Sequence, residues 1–319
     1  MSITEPLLTE DKISINLESQ SNPSFDKFTK DYILQEISVS PISTLNIKKI
    51  EIVDLQTGKD AVSKIDLNQT WMNDALGEGK GKSIGKVEGG SITNYLFYLS
   101  TLFEDIIIDN PIQGISLPKN LCNYIIHHEL GHCYDHSTRG EINAKIITDK
   151  DPFIIADNIE KSLYMFRGEL SACVFSNYAA DDIVLKMLIF NLNDAYKKYF
   201  NWTNYRKIKL AKDSSEIYLT NFYFSIFDLC WCTIHSYAKI IGIRLNNPSL
   251  AQAPINFSPL IPAPVISLLE KLENTIIKEW KYPELPDSIN TEVLKTVDNI
   301  ASVHGYKFIH SQKGDFVQY

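Results

Sequence analysis

Four of the chain's seven histidines fall between His127 and His136, with Glu129 among them. His128 and His132 stand four residues apart and Glu129 follows the first, which makes an H-E-x-x-H pattern. Residues four apart lie one above the other on a helix, so both imidazoles can meet one ion. Zinc takes such nitrogens at about 2.0–2.1 Å, and a catalytic site uses three protein ligands and keeps its fourth position for water. Glu129 is then placed to take a proton from that water, whose pKa the metal lowers towards about 7. The expected cofactor is Zn2+, with His128 and His132 as ligands and Glu129 as the catalytic base. Ile125, Ile126, Leu130, Gly131, Cys133 and Tyr134 are uncharged, as a buried active-site helix requires. The competing reading is a histidine-rich helix with no metal.

The elements that must position these residues read as mixed α and β first, then nearly all α. A helix opens near Ser116 and Pro118 and runs to about His136. After a polar linker over 137–152, a second helix runs from about Asp157 to Ala180. Further helices are expected near 181–199, 214–244, 263–281 and 290–303. Residues 45–56 alternate as a strand, with a turn at 57–60. Residues 77–90 hold six glycines and read as a mobile loop. Their ending Gly81-Lys82-Ser83 is similar to a phosphate-binding loop, but Leu76 stands where that loop needs glycine. Residues 91–103 lean towards strand. The expected fold class is α+β, in three parts. These are a flexible arm over 1–28, an α+β lobe over 29–140 ending in the H-E-x-x-H helix, and a helical lobe over 141–319.

The chain has 319 residues, 44% of them hydrophobic and 11% aromatic, enough for a substantial core. A formal charge of −8 with no basic stripe argues against nucleic-acid and anionic-membrane partners. The polar, acidic first residues do not read as a Sec signal peptide. The apolar run around 222–243 contains Asp228, His235 and Lys239, which suits a buried core helix better than a membrane span. Five unpatterned cysteines fit a reduced, cytoplasmic protein.

The stretch Ile125 to Tyr134 resembles the active-site helix of the zincin superfamily of metallopeptidases. The resemblance implies His128 and His132 as zinc ligands, Glu129 as general base, a twisted sheet above the helix and a helical lobe below a cleft. Thr138 stands where the metzincin branch needs its third histidine, which leaves the gluzincin-like pattern, with a glutamate on a later helix. Glu169 fits, 37 residues beyond His132 and beside small residues that let two helices approach. Asp135, His136 and Glu141 are rival third ligands. Cys173 stands where that pattern often has a carboxylate or serine orienting a ligand histidine, so Ser171 or Asn177 could take that role. A gluzincin-like oxyanion donor would come from the helical lobe, where Tyr164, Tyr178, His235 and Tyr237 are available. A core histidine bonded to backbone is the simpler account of His235. His136 reads as a cleft or ligand-supporting residue, His127 as a satisfied core or surface histidine, and His304 and His310 have no supporting pattern. The motif's form is also similar to regulatory metallopeptidases of the ImmA/IrrE type, although no helix-turn-helix signature is present. The expected function is a zinc-dependent metallohydrolase, a peptidase acting on a peptide or protein substrate. The alternative is a non-catalytic interaction or toxin-like protein with a structural or vestigial zinc site.

Overall fold

The computed structural model describes residues 9–18, 22–40, 46–65, 73–74, 77–78, 80–108, 117–139, 155–213, 215–245, 247–281, 286–309 and 316–318. The fold is α+β and mostly helical, with one small mixed sheet of four strands. The chain divides into two compact units. One comprises residues 1–148 and 171–184, the other residues 149–170 and 185–319.

The first unit is built on the sheet. Strand β1 (Ile13–Asn16) pairs parallel with β2 (Ile47–Val53), and β2 pairs parallel with β4 (Ser91–Leu99). Strand β3 (Gly81–Glu88) pairs antiparallel with β4, so the order is β1-β2-β4-β3 with β3 at one edge. Alternation along β4 decides the two faces. Leu96 and Tyr98 join Ile33, Ile50, Phe103, Ile126 and Leu130, which belong to β2 and to helices α1 (Pro23–Val39), α3 (Thr101–Ile108) and α4 (Leu117–Arg139). Tyr95, Phe97 and Leu99 face the other way, to Val62 of α2 (Leu55–Ile65) and Ile84 of β3.

Three sequence expectations change here. The arm over 1–28 is partly built into the fold: Ile13 is buried in β1, and α1 starts at Pro23, where Asn22 Oδ1 accepts from the Ser24 amide at 2.9 Å. Residues 57–60 are helix rather than turn. Asp54 accepts the Thr57 amide at 2.8 Å, and Gly58, Ala61 and Val62 share the buried face of α2. The glycine-rich loop is in large part β3. Gly89 and Gly90, both at positive φ, close a two-residue turn into β4, and Ile84 is buried on one face. Residues 91–99 are strand as expected, but the helix α3 takes over at Thr101.

The second unit is helical. It holds α5 (Ile155–Ser176) up to Leu170, α6 (Asp182–Lys212) from Leu185, α7 (Glu216–Arg244), α8 (Ala263–Glu279) and α9 (Asp287–Val303). Helix α7 runs through its core with Phe222, Ile226, Trp231, Ile234 and Tyr237 buried. Among the described helices it alone is long and apolar enough to cross a membrane, and half of that stretch is buried inside the protein, as in a core helix.

Candidate metal centre

Helix α4 sorts its side chains by angle. Cys122, Ile126, Leu130 and Cys133 point into the sheet core and are essentially inaccessible. Glu129, on the sheet side, is 8% exposed, and burial beside its carboxylate pushes the Tyr98 hydroxyl and the Cys133 thiol well up. The edge strand β3 meets this face through two glycines. A Cβ on Gly81 would stand 2.8 Å from Glu129 Cγ, and one on Gly85 would stand 3.0 Å from His136 Nδ1. Larger residues at either position would hold the strand away from the helix.

The opposite side of α4 meets the last turn of α5. Gly131 makes this approach: a Cβ there would stand 2.7 Å from both Cα and O of Ala172. The same turn brings Cys173 Sγ to 3.5 Å from His128 Nδ1 and 3.2 Å from the Tyr124 hydroxyl.

Between these two sides stand the rings of His128 and His132, half-buried and nearly perpendicular at 86°. Their Nε2 atoms face each other at 3.2 Å. Two nitrogens bound tetrahedrally to one zinc at about 2.05 Å would lie about 3.3 Å apart, so the separation fits a shared ion. Helix α5 runs unbroken through Leu170 and Ser171, and Glu169 lies one turn before Cys173 on the same face. One donor atom each from His128, His132 and Glu169 all lie within 4.8 Å of one another. Two imidazoles and a carboxylate are a donor set suited to zinc. Lys239 Nζ stands 3.4 Å from the Glu169 Oε2.

The other expected residues are placed as follows. Asp135 is buried on α4, and His136 stacks over His132 at 6.3 Å; neither joins the donor group among the described residues. Glu141 and His310 lie outside the described residues. His127 is buried, with Nε2 3.2 Å from Glu36 Oε2 and the Tyr178 hydroxyl on Nδ1. Tyr178 thus serves His127, about 100° around the helix from His128. His235 donates through Nε2 to the Ser162 carbonyl at 2.9 Å, and burial holds its pKa below the usual range. The Tyr237 hydroxyl donates to Glu273 at 2.6 Å, and His304 pairs with the Tyr196 hydroxyl at 2.8 Å. Tyr164 is half-buried on α5.

Sequence reasoning missed Tyr124, Lys239 and the two glycines of β3. Tyr124 lies one turn before His128, a spacing that puts its ring 5.7 Å from that imidazole. No family model matches the chain, and no curated protein or solved structure is significantly similar to it.

Proposed function

We propose that this protein is a zinc-dependent metallohydrolase of gluzincin type, acting as a peptidase. The observation that carries the reading is the His128–His132–Glu169 donor group, on a helix where Glu129 follows His128 in the sequence. Among the described residues the group holds three donors, as a catalytic site does, rather than the four of a closed structural site. A bound zinc ion would supply Lewis-acid polarisation of a carbonyl and a lowered pKa for water.

The chain's own residues do the rest. Glu129 accepts a proton from the attacking water and passes it to the leaving amine, so its carboxylate must lie beside the ligands yet outside the donor group. Burial beside Tyr98 and Cys133 keeps that carboxylate largely out of water. Cys173 restrains the His128 ring. Strand β3 is the sheet edge that passes Glu129, and its main chain can pair an extended peptide across the site.

The test is digestion of an unfolded protein by the zinc-loaded chain beside a Glu129→Gln variant that keeps its metal. The reading expects cleavage by the parent and a loss of at least about a hundredfold in the variant. Equal cleavage by both would remove Glu129, and no cleavage by a fully loaded parent would return the site to a binding role.

A further inference from the structure

Lys239 stands in surroundings that suit few lysines. It lies on α7, the core helix of the second unit, between Ala238 and Ile240, which are both fully buried. Lysine is seldom drawn into such a place unless a counter-charge holds it. The counter-charge is Glu169 on α5, whose Oε2 is 3.4 Å from Lys239 Nζ; the two side chains are 22% and 31% exposed.

A second contact fixes the pair. His235 and Lys239 stand four apart on α7, and Ser162 and Glu169 seven apart on α5, so each pair shares a helix face. His235 Nε2 donates to the Ser162 carbonyl at 2.9 Å, one turn of α7 before the ion pair. The helices therefore meet along a seam that keeps ammonium and carboxylate in register, and all four residues belong to the same compact unit.

Glu169 is also one of the three donors with His128 and His132. An ion on that group would face Lys239 across a single carboxylate, about 5 Å away for a metal–oxygen bond of about 2.0–2.2 Å. A carboxylate already paired with an ammonium is less available to a metal. The repulsion of a dication by the ammonium at that distance also changes binding about tenfold, even at the dielectric of water.

We propose that Lys239 competes with the metal for Glu169 and so sets the affinity of the centre. The ammonium is an internal counter-ion that a dication must displace or outweigh, which tunes the centre below the affinity that two imidazoles and a free carboxylate would give. The inference rests on the metal-centre reading.

The test is competition for zinc against a chromogenic chelator, using the full chain and its variants. Lys239→Met and Lys239→Gln should each bind zinc about tenfold more tightly than the parent. Lys239→Arg keeps the charge and should match the parent within about twofold. A gain in affinity is a change that a damaged fold would not produce. Unchanged or weaker binding in both neutral variants overturns the proposal, and an equal gain in Lys239→Arg overturns it by removing charge as the cause. Glu169→Ala, measured beside them, separates that failure from failure of the centre. Loss of zinc there keeps Glu169 a ligand whatever Lys239 does, whereas full zinc removes the ligand and this inference with it.

Discussion

The imidazole Nδ1 of His128 stands 3.5 Å from Sγ of Cys173, which also holds the Tyr124 hydroxyl. A ring that presents Nε2 to a metal must carry its proton on Nδ1, and that proton needs an acceptor. In the proposed zinc site that acceptor would be the buried Cys173 sulfur rather than a carboxylate. Cys173→Ala should therefore weaken zinc binding about tenfold, and Cys173→Ser should recover most of it. Competition against a chromogenic chelator measures both. Equal affinities in all three proteins would show that the contact does not hold the ring.

Gly131 sets how close α5 comes to α4. Alanine would normally stabilise a helix interior by about 1 kcal/mol, but its Cβ would meet the Ala172 backbone at 2.7 Å. Gly131→Ala is expected to destabilise the fold by about 2 kcal/mol in urea denaturation. It should also reduce zinc affinity, since Cys173 lies on the displaced turn. A more stable variant would contradict this packing.

Asp228, half-buried on α7, has its carboxyl pushed up to about 6 by burial, which Arg206 offsets only in part. The same group titrates near 3.9 in the unfolded chain. The folded state therefore binds the proton more tightly, so this contribution to stability is full below pH ~4 and lost as pH rises through about 6. Asp228→Asn should gain about 1–2 kcal/mol at pH 8 and little at pH 4. Denaturation curves at the two pH values check the sign.

Much of this was legible in the sequence because helical spacing is a strong signal. His128, Glu129 and His132 announce themselves by their separation, and α7, α8 and α9 follow from long periodic segments between turns, whereas α6, expected to end near 199, runs on to Lys212. Glycine misled the reading of 77–90. Its excess suggests a loop, whereas Gly81 and Gly85 stand where a strand crosses a helix at close range and Gly89-Gly90 is a hairpin turn. The Gly-Gly pair between two alternating stretches was the available clue. Cys173 could be numbered but not placed, because the approach of α5 depends on Gly131 and Ala172, far apart in sequence.

Zinc content tests the central claim most directly. Mass spectrometry of the purified chain and of Glu169→Ala, each supplied with zinc and freed of excess, should find about one zinc per parent chain and a clear loss in the variant. No zinc in either protein would contradict a metal centre, and full zinc in both would remove Glu169 from it.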